Sequence, residues 1–427
     1  MEISEIHKLF LTCSSISIDT RTIEKNSMFV AIKGENFDAN TFAKDALKKG
    51  SLCVIIDNLE FYVDERTIIV KDSLILLQEL AQYHRKYLNI PILAITGSNG
   101  KTTTKELTHK VLSKKFKCKA TIGNLNNHIG VPLTLLSFNK ETEFGIVEMG
   151  ANHKKEIEFL CTIATPDFGY ITNFGKAHLE GFGGIEGVII GKSELYNYLE
   201  ENKKIVFINL DDTLQEEKTK NIKRISFSNF EISADLFINK LEANPNVTVF
   251  YNSIVINSNL IGLYNSSNIQ FAITIGKYFN IIDSEIKTSI EEYYPDNNRS
   301  QIIKSEFNNI ILDAYNANPS SMNLSIQNFL KLEKEDKYLI IGDMYELGVE
   351  TDAEHKNIIN LLSKNKKVEC FFVGNYFYKN SIIEEKKYFF KDFENLFNHI
   401  KSLELKNKLI FIKGSRGMKL ERILEII

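Results

Sequence analysis

One stretch of the sequence holds the residue types of phosphate chemistry in a usable order. In ILAITGSNGKTTTKE (92–106) an apolar run leads into Gly97-Ser98-Asn99-Gly100-Lys101-Thr102-Thr103 and then into a helix-forming segment. Glycines let backbone N–H groups close around phosphate oxygens, and a helix start adds partial positive charge. Lys101 can bridge the β- and γ-phosphates of ATP, and the Thr102 hydroxyl suits a magnesium ion. Ile95 stands where G-x-x-x-x-G-K-[ST] has its first glycine, so this loop is shorter than the standard one. A kinase, a GTPase-type switch and an ATP-driven ligase all need such a cradle, and the loop alone leaves the reaction open.

The elements that must hold the loop follow from the surrounding pattern. Strands are expected at 92–96, 144–150, 168–174 and 204–212, with helices at 102–115 and 184–200. That alternation implies a parallel sheet with crossover helices. Before it, strands at 27–34 and 52–57 flank a helix over 41–49, and an amphipathic helix over 74–88 ends ahead of Pro91. After it, 224–260 reads as short β-like runs forming an antiparallel flap, followed by a helix at 265–279 and a turn-rich stretch at 293–301. The last third alternates again, with strands at 309–315, 337–344, 369–375 and 408–415, as a Rossmann-type domain without a GxGxxG fingerprint. The expected fold class is α/β in three serial domains: 1–89, 90–297 and 298–427.

Composition narrows the function classes. Over 427 residues, 52 Lys plus Arg against 55 Asp plus Glu leave a net charge of -3, with no electrostatic footprint for nucleic acid or an anionic membrane. No apolar run approaches the roughly 18 residues of a membrane span. MEISEIHKLF has neither the basic start nor the apolar stretch of a signal peptide. Cys13, Cys53, Cys118, Cys161 and Cys370 form no CxxC pair, as expected of reduced thiols in a cytoplasmic protein.

Beyond the loop, TIGNLNNHIGVPLTLL (121–136), VEMGANHKKEI (147–157) and TPDFGYITNFGKAHLEGFGGIEGVIIGKSELY (165–196) resemble the Mur ligases of peptidoglycan synthesis. So do SISIDTRTIEKNSMFVAIKGENFDANTF (15–42), DAYNANPSSM (313–322), GDMYELG (342–348) and IKGSRGMKLE (412–421). NNHIGVPLTLL, DAYNANPSSM and GDMYELG are most similar to the branch that joins D-alanyl-D-alanine to UDP-N-acetylmuramoyl-tripeptide. The Asp-Asn-Pro-Arg expected of the diaminopimelate-adding branch is absent. The resemblance implies an ADP-forming peptide ligase of cell-wall biogenesis, cell shape and division. Its three domains would bind the UDP-sugar, bind ATP, and close over both by hinges near 88–91 and 295–300. It further implies ATP and Mg2+ as cofactors, UDP-N-acetylmuramoyl-tripeptide and D-alanyl-D-alanine as partners, and a monomer.

Residue by residue, the resemblance places Glu148 and His178 as metal ligands with Thr102, and Lys192 as the lysine carbamylated to hold a second magnesium. With Lys101 these form the expected catalytic set. Asn268, Arg299, Asp313, Tyr315, Asn316 and Asn318 would face ATP, although Tyr264 stands where the family has His in its G-x-H-N segment. Asp19, Thr20, Arg21, Asp38 and Asn40 match segments on the uridine-diphosphate side, with Ala39 in place of the usual Gly. Asn126, Asn127 and His128 would lie between domains, and Lys413, Ser415 and Arg416 would face substrate carboxylate. The rivals are a sister ligase adding a diamino acid, a folate polyglutamylating enzyme, which the 15–42 segment disfavours, and a nucleotide-hydrolysing switch that joins nothing.

Overall fold

Every residue of the strands Ile92–Thr96 and Phe144–Glu148 is buried. Strands covered on both faces belong inside a parallel sheet. The computed structural model, which describes residues 1–296, 298–334 and 336–427, contains such a sheet of seven strands. In spatial order these are Leu236–Phe237, Lys223–Ser228, Ile205–Asn209, Phe168–Ile171, Ile92–Thr96, Phe144–Glu148 and Cys118–Ala120. Side chains alternate across it: Ile92, Ala94 and Val147 enter one core, and Leu93, Ile95 and Ile146 the other. The chain leaves Ile92–Thr96 for the edge strand Cys118–Ala120, returns to one flank of it, then crosses to the other. A crevice opens beyond the carboxyl ends of strands at such a switch point.

A four-stranded parallel sheet, Ile16–Ser17, Met28–Val30, Cys53–Ile56 and Thr67–Ile69, precedes this unit. The helix Ser73–Leu88 joins the two. It starts on the Asp72 side chain, which accepts from the Ile75 N–H, and stops at Asn89, whose φ is 48°. Its outer face is anchored on the central unit: Gln82 and Arg85 donate to the carbonyls of Thr162 and Ala164, and Arg85 reaches the Asp167 carboxylate at 2.9 Å.

The last sheet runs Gln301–Lys304, Asn309–Asp313, Leu409–Lys413, Lys337–Gly342, Glu369–Val373 and Lys387–Phe390, parallel except for its first, antiparallel edge strand. The stretch 224–260 differs from expectation. Lys223–Ser228 and Leu236–Phe237 extend the central parallel sheet, and only Lys240–Ala243, Asn246–Tyr251 and Ile254–Ile261 form an antiparallel unit. Polar Ser226 concealed the first of these strands; its N–H and hydroxyl both donate to Asp235 at 2.8 Å, which makes a polar residue tolerable there. The helix Asp283–Glu291 and the strands Gln301–Lys304 and Lys387–Phe390 also went unread. Asn297, the last residue of the expected central domain and part of the 293–301 turn, lies outside the described residues. Among those described, no helix is long and apolar enough to cross a membrane, and the five cysteines are free.

Candidate active site

The loop after Ile92–Thr96 is shaped by two glycines for which no side chain can substitute. At Gly97, φ is +137° and a Cβ would lie 2.0 Å from the Thr172 Oγ1. At Gly100, φ is +82° and a Cβ would meet the Asn268 amide at 2.7 Å. Only glycine adopts such backbone without strain. Asn173 receives the Asn99 N–H on its Oδ1, while the Asn99 carbonyl accepts from Thr172 and Asn173. The helix Lys101–Leu112 then begins, and its first three residues line the cavity. Lys101 folds back to the Gly97 carbonyl at 2.7 Å. Burial and the nearby Arg299 charge hold its ammonium below the usual lysine range, against the pull of Glu148.

Glu148 ends its strand almost fully buried. Its Oε2 accepts from the Thr102 hydroxyl at 3.0 Å and its Oε1 from the Asn126 amide at 2.9 Å. Hydroxyl and carboxylate oxygens side by side are the donors a hard cation such as Mg2+ prefers, so this corner fits that ion. His178 lines the same cavity in a left-handed backbone conformation (φ 53°), and it bonds the Glu346 carboxylate of the last domain through Nδ1. Among the described residues no three His, Cys, Asp or Glu side chains converge as a ready-made metal cluster. Lys192 is buried outside the cavity lining and donates to the carbonyl of Ala151, a lining residue, at 3.0 Å. Burial first, and then the Lys101 charge, hold it well below the usual lysine range.

These groups open into one cavity of about 1500 Å³ between the central and last domains, reaching Gln78 of the joining helix. Arg299 stacks on the Tyr315 ring at 3.6 Å, and among the described residues its buried Nε has no hydrogen-bond partner. Asn318 caps the helix Pro319–Lys331 and exchanges amide hydrogen bonds with Asn99 at 2.7 and 3.4 Å, so the phosphate loop touches the last domain directly. Ser320 and Glu354 hold Lys176 from the same side.

Of the expected residues, Ser98 to Thr103, Asn126, Asn127, His128, Glu148, His178, Asn268, Arg299, Asp313, Tyr315, Asn316, Asn318 and Lys413 line this cavity. Several have protein partners of their own. Asn268 accepts from the Thr104 hydroxyl, Asn127 accepts from the Ile129 and Gly130 N–H groups, and Lys413 is ion-paired with Asp313. Others lie elsewhere. Asp19 and Arg21 pair with each other on the surface of the first domain, beside Thr20, whose carbonyl accepts from Lys49. Asn40 is buried between Asp38 and Asp57. Ser415 accepts from the Tyr345 N–H, and Arg416 pairs with Glu421 on the surface. Sequence reasoning passed over Asn173, Glu346 and Lys105. Lys105 alone had a legible signal, lying four residues and so one helical turn beyond Lys101.

The same combination recurs in known proteins. Residues 95–276 match the Mur ligase middle domain, and 298–416 match the Mur ligase, glutamate ligase domain. The UDP-N-acetylmuramoyl-tripeptide–D-alanyl-D-alanine ligase of Bacillus subtilis is 34% identical over 96% of this chain and 92% of its own length. That of Escherichia coli is 30% identical over 99% and 95%. A crystal structure of MurF from Acinetobacter baumannii superposes with a TM-score of 0.86 at 27% identity, covering 99% of this chain and 97% of that one. MurF ligase from Thermotoga maritima, solved with ADP, gives 0.84 at 25% identity over 98% and 97%. With a phosphate loop, a buried carboxylate and an interdomain cleft in that order along nearly the whole chain, this protein belongs to the Mur ligase family.

Proposed function

We propose that the chain joins D-alanyl-D-alanine to UDP-N-acetylmuramoyl-tripeptide with conversion of ATP to ADP, giving the pentapeptide precursor of peptidoglycan. The observation that carries this is the cleft itself. It sets the phosphate loop, Glu148 and Arg299 around one cavity large enough for two substrates, in a chain that matches a D-alanyl-D-alanine ligase over 96% of its length. In the first step a carboxylate oxygen of the tripeptide attacks the γ-phosphorus, and the bond to the β-phosphate oxygen breaks. In the second, the dipeptide amine attacks the acyl carbon, loses a proton and expels phosphate. Lys101 and Arg299 draw two anions together that would otherwise repel, and the loop N–H groups hold the phosphates in line. Thr102, Glu148 and His178 would hold Mg2+, which supplies further positive charge when bound. Lys192, its amine adding to CO2 with loss of a proton, would become a carbamate and supply an oxygen ligand.

Residues 1–89 would bind the UDP-sugar through Asp19, Thr20, Arg21, Asp38 and Asn40. Residues 90–297 would bind ATP with Asn268, and 298–427 would close over both with Asp313, Tyr315, Asn316 and Asn318. Asn126, Asn127 and His128 would lie along the tripeptide, and Lys413, Ser415 and Arg416 near its carboxylate. The enzyme would act as a cytoplasmic monomer. The test is ATP-dependent phosphate release with UDP-N-acetylmuramoyl-tripeptide and D-alanyl-D-alanine, diaminopimelate, L-glutamate or no amine. Release that needs D-alanyl-D-alanine and yields a pentapeptide by mass supports the reading. Release with another amine moves the chain to a sister branch, and equal release without amine replaces the ligase by a nucleotide switch. With 13C-bicarbonate, a carbamate carbon signal is expected in the wild type and not in Lys192→Met.

A further inference from the structure

Behind Glu148 lies a second buried lysine that the reaction above does not use. Lys105 is only 3% exposed, and its Nζ donates to the Thr121 carbonyl at 2.7 Å. The same Nζ lies 3.9 Å from the Glu148 Oε2, the oxygen that also accepts from Thr102. Thr121 completes the knot by receiving the Glu148 N–H on its hydroxyl at 2.9 Å. Glu106 is also 3.9 Å from Lys105, but it is more exposed and already accepts from the Tyr293 hydroxyl at 2.7 Å. Among the described residues, Lys105 is thus the cation nearest this buried carboxylate, and a buried charge needs such a partner.

We propose that Lys105 is a positioning residue that sets the affinity of the Glu148 corner for its cation. Lysine and magnesium would draw on one carboxylate from two sides. With the metal absent, Lys105 is the cation beside Glu148 and helps to keep it fixed against Thr102. With the metal bound, its repulsion weakens the hold on the ion and favours release of the metal–nucleotide product. This rests on the metal reading proposed for Glu148.

The test is a magnesium titration of ADP binding by calorimetry on the full chain, with thermal unfolding in EDTA measured alongside. If wild-type ADP binding ignores magnesium, the metal reading itself fails. If it depends on magnesium, Lys105→Met is expected to need about fivefold less for half-saturation, the effect of one partly screened charge, while its Tm in EDTA falls. Lys105→Arg, which retains the charge, is expected to restore both. Half-saturation unchanged or raised in folded Lys105→Met overturns the inference, because loss of packing alone cannot tighten metal binding. Should Lys105→Met fail to fold, Glu148→Gln/Lys105→Met decides. The double variant folds if Lys105 balances charge, and its failure to fold overturns the proposal.

Discussion

Lys413 was expected to meet a substrate carboxylate, yet the carboxylate it holds belongs to Asp313. The ammonium is 3% exposed and Asp313 14%, and Asp313 also accepts the Ser300 N–H at 3.0 Å. Replacing Lys413 by Met would leave that carboxylate without its cation. Breaking a buried pair from one side costs about 3–5 kcal/mol, and partial solvent access to Asp313 favours the lower figure. Unfolding entropy near 60 °C is about 2.1 cal/mol/K per residue, so a C-terminal domain of roughly 130 residues melting alone would lose about 11 °C. Were the whole chain to melt as one unit, the same 3 kcal/mol would lower Tm by about 3 °C. Scanning calorimetry separates the two cases. Asp313→Asn/Lys413→Met removes both charges and is expected to recover at least half of the loss, because a neutral amide needs no counter-ion. A single variant that melts within about 1 °C of wild type, with no gain in the double, refutes the reasoning.

Three further outcomes are expected. Gly97→Ala must force a Cβ against Thr172 at φ +137°; a combined cost of about 3 kcal/mol should appear as lost stability or lost ADP affinity in thermal shifts with and without nucleotide, and neither changing would refute it. Asn318→Ser keeps a helix cap but loses the amide pair with Asn99; kcat/KM for ATP should fall about fivefold, one hydrogen bond's worth, with Tm held. Burial, and then His84, lower the His7 pKa to about 4 from 6.5, so the unfolded chain binds the extra proton between those values. Stability should therefore be intact above pH 6.5 and decline by up to about 3 kcal/mol as pH falls to 4, and denaturant titrations of His7→Phe should show a flatter profile across that window.

The phosphate loop was legible because its chemistry is local: strand, glycines, Lys101 and Thr102 all lie within twelve residues of Ile92. Glu148 and His178 were legible only through likeness to a family, since a lone carboxylate after a strand has many uses. What escaped was whatever depends on a partner distant in sequence. Asn318 is 219 residues from Asn99, and Glu346 is 168 from His178. Neither spacing nor periodicity connects such pairs. The pairing of Lys413 with Asp313 escaped for the same reason, joining adjacent strands of one sheet 100 residues apart. Elements failed where polarity masked burial, as at Ser226, and held where both faces were apolar, as in Ile92–Thr96.

The cations of the cleft are arranged at the expense of one another. Burial lowers both Lys101 and Lys192, and the Arg299 charge adds to it at Lys101, against Glu148, as the Lys101 charge does at Lys192. A fold selected only for stability would not set these charges together in so little water. The arrangement becomes favourable when phosphate enters, because Lys101 and Arg299, which line the cavity, each gain an anion. The Nε of Arg299, with no hydrogen-bond partner among the described residues, fits the same logic, since its planar fork is already oriented by the Tyr315 ring. Rigid placement matters most for a group that must act on charge developing between two anions, where reorganisation would forfeit part of the stabilisation. The opposing cost is carried by apolar strands beneath: Ile92 to Ile95 and Phe144 to Val147 are fully buried on two faces of one sheet. The hydrophobic core of the central domain is thus what makes the electrostatic tension at its carboxyl edge sustainable.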